Sequence, residues 1–307
     1  MSTPAYPVHT FADLESWSAP GTGLALLGQP VAHSLSPVIH NAALAVLASE
    51  DARFASWHHY KFDIAPAELG RALQLLHAKG FAGINLTAPH KEPVLDHTEG
   101  ADAFTRAACA ANTLVRTETG WRACNTDGGG LADGLRGDLG VELRGANVIL
   151  LGAGGAARAA AVQCLRDHAA SLWIGNRSPE RLNALLDHLA PLAGDVPVRG
   201  FSTSQLPPGL PAGALVINAT TLGLKGGDAP PVDLRQLPAP AKVYDMTYNP
   251  PVTALLRQAA ELGLPQANGL SMLVHQGARS LTLWTGRPAP VEVMNSAART
   301  ALALVAT

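Results

Sequence analysis

The segment that most constrains the fold of this chain is glycine-rich and covers residues 146–158, with the sequence ANVILLGAGGAAR. Its apolar first half leads directly into Gly152, Gly154 and Gly155, and an alanine-rich stretch follows, which predicts a strand, a tight turn and a helix. Glycines allow the backbone to approach phosphate oxygens, and the free N–H groups at a helix start point at them. The segment therefore predicts a dinucleotide-binding turn, with a glycine turn that only reverses the chain as the alternative.

The next predicted strand, residues 171–174, bears on which dinucleotide is bound. It is followed by Asn176, Arg177 and Ser178, and Arg181 lies one helical turn further on. A carboxylate at this point would accept a hydrogen bond from a ribose 2′-hydroxyl, whereas two guanidinium groups favour a 2′-phosphate. The sequence therefore predicts NADP rather than NAD. The alternative is a solvated basic helix start, which the helix dipole makes slightly unfavourable without an anion.

Composition limits the classes of function. The chain has 307 residues, enough for two domains, and 47% of them are hydrophobic and 15% charged. The formal net charge of −2 gives no basic footprint for nucleic acid, so a small-molecule partner is expected. The chain is expected to be a monomer or a homodimer.

The cysteines and the N-terminus bear on location. Cys109, Cys124 and Cys164 are odd in number, lie far apart and form no CxxC pair, which argues against disulfides and zinc. No lysine or arginine precedes Arg53, as a signal or transit peptide would require, and no apolar run is long enough to span a bilayer. We expect a protein of the reducing cytoplasm, with neither a metal nor a membrane as partner.

Alternating strand and helix patterns predict an α/β fold with two domains. Residues 1–23 read as an N-terminal extension with a short helix near 11–17. The first domain, 24–125, is predicted to have a mostly parallel sheet that carries the substrate site. Residues 126–268 are predicted to form a doubly wound, Rossmann-type domain for NADP, and the helices of 269–307 are expected to return to the first domain. Strands are predicted at 24–27, 57–62, 81–86, 107–115 and 121–125 in the first domain.

Polar side chains are predicted to collect where the strands of the first domain end. In parallel sheets, ligands bind at the carboxyl ends of the strands, and here that places them in a cleft between the domains. The set consists mainly of neutral hydrogen-bonding groups with one cation and one anion, which suits a polyhydroxylated ring. Its members are Ser34, Ser36, Asn85, Thr87, Lys91, Asn112 and 125–127.

Nine short motifs give the chain a family resemblance. HSLSP, NLTAPHKE, ANTL, NTDG, GAGGAAR, NRS, INATTLG, YDMTYNP and NGLSMLVHQ occur between Gly28 and Gly286, in the order and approximate spacing of the shikimate dehydrogenases, which the chain therefore resembles. The resemblance implies NADP-dependent reduction of 3-dehydroshikimate to shikimate in aromatic amino-acid biosynthesis. One departure is Gly277, which stands where alanine usually follows the glutamine of the last motif.

The resemblance also implies roles for individual residues. Lys91 would be the catalytic acid and base, with Asp127 as its partner. Ser34 and Ser36 would hold the substrate carboxylate, unless they only cap a helix. The residues that would bind the ring hydroxyls or position their neighbours are Asn85, Thr87, Asn112, Asp127, Tyr248 and Gln276. The residues that would bind the cofactor are Gly152, Ala153, Gly154, Gly155, Ala156, Asn176, Arg177, Ser178, Arg181 and Thr220, with Met246, Gly269 and Met272 on the nicotinamide side.

The chemistry of carbonyl reduction agrees with this assignment. Hydride transfer to a ketone builds negative charge on its oxygen, which needs a proton donor within hydrogen-bond reach. The Lys91 ammonium is such a donor, and its amine form can take the proton back in the reverse reaction. The alternative is that Lys91 is a surface residue at a helix start and that Asp127 only caps a helix. Two other functions stay open: a quinate/shikimate dehydrogenase with broader substrate or NAD use, and a catalytically silent shikimate-binding sensor.

Overall fold

The computed structural model describes residues 6–225 and 227–305 of the chain. The chain divides into two compact units, Met1–Thr126 together with Leu273–Thr307, and Asp127–Met272. The strands are β1 Val8–Thr10, β2 Thr22–Gly28, β3 Trp57–Asp63, β4 Gly83–Leu86, β5 Gly100–Ala101, β6 Thr113–Arg116, β7 Trp121–Cys124, β8 Asn147–Leu151, β9 Ser171–Asn176, β10 Val198–Ser202, β11 Leu215–Asn218, β12 Lys242–Asp245 and β13 Gln266–Asn268.

The helices alternate with these strands along most of the chain. Among the described residues, none is long and apolar enough to cross a bilayer. The α-helices are α1 Phe11–Glu15, α2 Ser36–Glu50, α3 Leu69–Ala78, α4 Ala103–Ala108, α5 Asp127–Leu139, α6 Gly155–Arg166, α7 Pro179–Leu189, α8 Ala254–Glu261, α9 Leu270–Thr285 and α10 Val291–Val305.

The first unit is built on a sheet with the strand order β1-β3-β2-β4-β6-β7-β5. Its strands pair in parallel except β6, which runs antiparallel to both β4 and β7. Strand β2 is apolar on both faces because helices and loops cover both sides of it. The indole N–H of Trp284 in α9 donates to the Leu114 carbonyl at 2.9 Å and fixes this helix to the sheet. Helix α10 packs against α2 in the same unit.

The second unit contains a wholly parallel sheet in the order β10-β9-β8-β11-β12-β13. The chain starts in the middle at β8, builds outward to β10, and then returns to start again at β11. The direction of winding therefore reverses between β8 and β11, and in such sheets ligands bind at this switch point, beyond the carboxyl ends of the strands. The prediction of an α/β chain with a Rossmann-type doubly wound sheet is confirmed.

Two local predictions differ from the structure, and two short strands were not predicted. Residues 107–115 are not one strand: α4 occupies Ala103–Ala108, its start capped by the Asp102 carboxylate, which accepts from the Thr105 N–H, and the strand begins only at Thr113. The N-terminal segment is more than an extension, because β1 pairs in parallel with β3 and α1 follows a capping box of Thr10 and Asp13. Strands β5 and β13 were not predicted, since such short segments carry no apolar alternation.

Candidate functional site

Ser34 and Ser36 lie at the start of α2, beyond the carboxyl end of β2. The N-cap residue is Leu35, which makes no side-chain cap hydrogen bond among the described residues, so neither serine is the N-cap. The Ser34 hydroxyl instead accepts from the Ser36 N–H at 3.2 Å and donates to the Ser36 hydroxyl at the same distance. Two hydroxyls at a helix start are suited to receive a carboxylate, since the helix dipole favours an anion there.

Thr87 and Lys91 lie in the turn that follows β4. The turn is fixed by its backbone: the Thr87 N–H donates to the Leu27 carbonyl at 2.9 Å, and the Ala111 N–H donates to the Lys91 carbonyl at 2.7 Å. The Lys91 side chain is half-buried. Between them, buried His90 donates from Nε2 to the Ile64 carbonyl at 2.8 Å, which gives this imidazole a structural role.

Three amide side chains of the first unit form one buried network. The Asn85 amide nitrogen donates to the Asn112 carbonyl at 3.2 Å, and the Asn112 amide nitrogen donates to Gln276 Oε1 at 3.0 Å. The Asn112 Oδ1 accepts from the Thr126 N–H at 2.8 Å. The structure thus brings three of the predicted residues together. It also adds Thr126 and Ser280, whose hydroxyls lie within 3.2 Å of each other. Ser280 stands one helical turn after Gln276, the spacing that could have revealed it.

Asp127 is the first residue of α5 in the second unit and is 3% exposed. An acidic group at this position favours the helix, because the positive end of the helix dipole lies there. The residue before it, Thr126, is the one that Asn112 fixes. Lys91 and Asp127 belong to different units.

A pair of buried histidines, absent from the predicted site, lies in the first unit. His40 in α2 and His59 in β3 are both 0% exposed, and their rings stack with centroids 4.5 Å apart and planes at 5°. Burial lowers the pKa of His40 to about 3, while the Asn85 side chain acts in the opposite direction. Burial, followed by the charge of His40, lowers the pKa of His59 well below its usual value, and Asn85 again opposes this.

The pair predicts that the first unit loses stability in mild acid. Below the ordinary histidine pKa of 6.5 both imidazoles bind protons in the unfolded chain, whereas in the folded chain the pKa of His40 is about 3 and that of His59 is well below its usual value. The free energy of unfolding therefore falls with decreasing pH across this window, by about 1.4 kcal/mol per pH unit for each ring. Urea unfolding at pH 7 and pH 5, followed by tryptophan fluorescence, measures this slope because four of the five tryptophans lie in the first unit. His59→Phe is expected to reduce this slope by about 1.4 kcal/mol per pH unit, the contribution of one histidine. Equal slopes in both proteins would contradict the prediction.

The glycine turn follows β8 in the second unit. Gly152 has φ +120°, and a Cβ there would lie 3.0 Å from the Ala219 carbonyl oxygen, so both the conformation and the space require glycine. Gly154 is the N-cap of α6, and as a glycine it has no side chain that could cap the helix. A Cβ added to it would meet no atom of the described residues within 4 Å, so the space beside it is open. The N–H groups at this helix start are therefore open to an anion. Ala153 lies in the turn, Gly155 and Ala156 begin α6, and Ala157 is buried.

Residues 176–181 cover the end of β9, a two-residue turn and the start of α7. The Asn176 amide donates to the Ser178 carbonyl at 2.9 Å, and Ser178 is the N-cap that accepts from the Arg181 N–H at 3.3 Å. Arg177 and Arg181 are exposed, and neither guanidinium forms an ion pair in the part of the chain that the structure describes. The Ser178 hydroxyl donates to Glu180 Oε2 at 2.7 Å and so places a carboxylate beside these cations.

A second polar network, missed in the sequence, joins the ends of β11 and β12. Buried Asn218 donates to Asp245 Oδ1 at 3.0 Å, and the Thr253 hydroxyl donates to Asp245 Oδ2 at 2.7 Å. Burial raises the pKa of Asp245, against these hydrogen bonds. Thr220 donates its hydroxyl to Asn218 Oδ1 at 2.7 Å. The sequence signal for this network was a polar residue at the end of each of two apolar strands. In the structure these two residues, Asn218 and Asp245, pair in register.

The remaining predicted site residues, Tyr248 for the substrate and Met246, Gly269 and Met272 for the cofactor, follow β12 and β13. Met246 and Tyr248 lie in the loop after β12, both half-buried. A side chain at Gly269 would collide with the Met246 carbonyl, so the two loops touch through backbone atoms. Met272, in the first turn of α9, is 8% exposed. No group of three His, Cys, Asp or Glu side chains that could hold a metal ion occurs among the residues described.

Comparisons with known proteins identify the family. Residues 26–114 match the shikimate dehydrogenase substrate binding domain, and residues 269–299 match the shikimate 5'-dehydrogenase C-terminal domain. A shikimate dehydrogenase (NADP(+)) of Symbiobacterium thermophilum is 40% identical over 92% of this chain and 95% of its own.

Solved structures agree with the sequence comparison. Shikimate 5-dehydrogenase of Thermus thermophilus, in complex with NADP(H) and shikimate, matches with a TM-score of 0.79 at 33% identity, over 92% of this chain and 100% of that one. Quinate dehydrogenase of Corynebacterium glutamicum in complex with NAD matches with the same TM-score at 27% identity, over 91% of this chain and 99% of that one. On this evidence of sequence and structure, the chain belongs to the shikimate dehydrogenase family.

Proposed function

We propose that this protein catalyses the reversible, NADP-dependent reduction of 3-dehydroshikimate to shikimate, within aromatic amino-acid biosynthesis. The observation that carries the proposal is the 40% identity to an NADP-dependent shikimate dehydrogenase across 92% of the chain. The polar residues at the carboxyl ends of the strands in the first unit support it, because they are the hydroxyl, amide and ammonium groups that a cyclic hydroxyacid needs.

The substrate carboxylate is assigned to Ser34 and Ser36 at the start of α2. The ring hydroxyls are assigned to Thr87, Asn112, Gln276, Tyr248 and Asp127. Asn85 is assigned a positioning role, since it is 3% exposed and its amide hydrogens are used within the protein. Amide and hydroxyl groups suit this task because each can donate to or accept from a hydroxyl without adding net charge.

Proton transfer is assigned to Lys91. Bound NADPH supplies the hydride that reduces the substrate ketone. As negative charge develops on the carbonyl oxygen, the Lys91 ammonium donates a proton from Nζ and yields the alcohol. In the reverse direction the neutral amine accepts the proton from the hydroxyl. Asp127 is assigned as the partner carboxylate, which favours the charged lysine and accepts from a substrate hydroxyl.

NADP fits the residues of the second unit. The open helix start at Gly154 and the close backbone approach at Gly152 suit a pyrophosphate, for which Ala153, Gly155 and Ala156 supply further backbone. Arg177 and Arg181 suit the 2′-phosphate, together with Asn176 and Ser178, and in this position a carboxylate would favour NAD. The nicotinamide side is assigned to Thr220, Met246, Gly269 and Met272.

The proposal is tested by the absorbance of reduced nicotinamide at about 340 nm, with shikimate and NADP as substrates. We expect shikimate-dependent NADPH formation, with lower kcat/KM for NAD and for quinate. Higher kcat/KM with quinate and NAD would favour the broader dehydrogenase. Shikimate binding without any absorbance change would instead favour a silent sensor, and both results would contradict the proposal.

We also propose a cytoplasmic location. Cys109, Cys124 and Cys164 are free thiols. Burial raises the pKa of the Cys124 thiol to about 11 and that of the Cys164 thiol to about 12, which keeps both in the unreactive protonated form. Free cysteines are typical of proteins in a reducing compartment, which supports this location.

A further inference from the structure

The stacked pair of His40 and His59 contains polar atoms that the fold leaves unsatisfied. Within residues 6–225 and 227–305, none of the four ring nitrogens has a hydrogen-bond partner, and neither does Asn85 Oδ1. All three side chains are buried, with exposures of 0%, 0% and 3%. Such atoms are rare in folded proteins, because each gives up its hydrogen bonds to water, and a cluster of them calls for a physical explanation.

The orientation of the Asn85 amide supplies part of that explanation. Its nitrogen donates to the Asn112 carbonyl at 3.2 Å, to the Thr113 hydroxyl at 3.3 Å and to the Ser280 hydroxyl at 3.2 Å. These partners fix the nitrogen end of the amide and leave Oδ1 without a donor from them. His59 and Asn85 lie on the same face of the sheet, because His59 and Gly83 both pair with Leu24 and Asn85 comes two residues after Gly83. A neutral imidazole carries one N–H donor, so the histidine pair offers the donors that Oδ1 lacks.

The amide end of this arrangement reaches the proposed substrate site. Asn112 accepts from Asn85 through its carbonyl and donates from its own amide to Gln276 Oε1 at 3.0 Å. Asn112 and Gln276 are assigned to the ring hydroxyls. A rotation of the Asn85 amide would place an oxygen against the Asn112 carbonyl, and two acceptors in contact would repel each other. The orientation of Asn85 therefore bears on the position of both ring-binding residues.

We propose that His40 and His59 are positioning residues for substrate binding, which hold Asn85 Oδ1 by an imidazole N–H through one buried water and so fix the Asn112–Gln276 pair. The proposal rests on the proposed function, because it assigns this pair to the shikimate ring. It gives a reason for two uncharged imidazoles in a core where apolar side chains would pack without polar atoms to satisfy.

The test compares three substitutions in β3 by steady-state kinetics with shikimate and NADP. His59→Phe keeps a ring but removes the N–H, and we expect the shikimate KM to rise about tenfold, with the NADP KM within twofold of the wild-type value. His59→Gln restores an N–H donor and is expected to recover most of the shikimate KM. His58→Phe is the control, because His58 points to the opposite face of the same strand and is expected to leave both KM values unchanged.

The outcomes separate this proposal from the proposed function. Absence of shikimate-dependent turnover in the wild-type protein overturns the proposed function and this assignment with it. Normal wild-type turnover with an unchanged shikimate KM in folded His59→Phe, or an equal rise in the NADP KM, overturns only the role of the histidines. If His59→Phe does not fold, His40→Phe decides, because it removes the other imidazole of the pair: a rise of about threefold in the shikimate KM supports the proposal, and an unchanged KM overturns it.

Discussion

Lys91→Ala is expected to lower kcat for shikimate oxidation by about 10²- to 10⁴-fold, the usual contribution of a positioned general acid or base. The Lys91 amine contributes most in the transition state, where the proton is being transferred, so the shikimate KM is expected to change only a few-fold. Steady-state rates of NADPH formation at saturating NADP measure both constants. Because the backbone at Lys91 is held through the Ala111 N–H, the substitution leaves the turn in place.

Lys79→Ala is the matched control for this substitution. It removes the same charge from the same unit, at the end of α3, where the Lys79 ammonium donates to the Trp17 carbonyl at 3.0 Å. Its kcat is expected to stay within twofold of the wild-type value, although some stability is lost with the hydrogen bond. A large rise in shikimate KM with normal kcat in Lys91→Ala would instead indicate a lysine that only binds the substrate.

The parts of the fold that could be predicted are those with strong local patterns. The segment around Gly152 combines an apolar run, a turn that only glycine can form and an alanine-rich helix, so three levels of local preference agree. Helix α4 could not be predicted in this way, because its six residues make fewer than two turns and show no helical periodicity. Its true signal was the Asp102 cap, which depends on one hydrogen bond rather than on periodicity.

The site could be predicted less completely than the fold. The family motifs name Asn85, Asn112 and Gln276, but only the structure shows that they form one hydrogen-bonded chain, since Gln276 comes more than 150 residues after Asn112. Sequence proximity favoured a helix cap for Ser34 and Ser36, whereas Leu35 holds that position. The burial of His40 and His59 was not visible either, because histidine is compatible with both surface and core and the contacts that bury it are distant in sequence.

Arg177→Asp is expected to lower kcat/KM for NADP by about 10- to 100-fold, because a hydrogen bond to a charged group contributes about 1.5–3 kcal/mol. The new carboxylate would repel a 2′-phosphate and accept from a ribose 2′-hydroxyl, so kcat/KM for NAD is expected to rise. Initial rates with each cofactor at saturating shikimate give the ratio of the two values.

The charge change itself needs a control, and Arg144→Asp provides one. Arg144 is exposed in the same unit, but it precedes β8 and so lies towards the amino ends of the strands, whereas Arg177 follows the carboxyl end of β9. The ratio of kcat/KM for NADP to kcat/KM for NAD in Arg144→Asp is expected to match the wild-type value, because the cofactor binds beyond the carboxyl ends of the strands. Unchanged kcat/KM for NADP in Arg177→Asp would contradict the phosphate role, whereas an equal loss in Arg144→Asp would trace the effect to overall charge. The position of a guanidinium relative to the direction of the strands, rather than the number of positive charges, then decides which cofactor this chain selects.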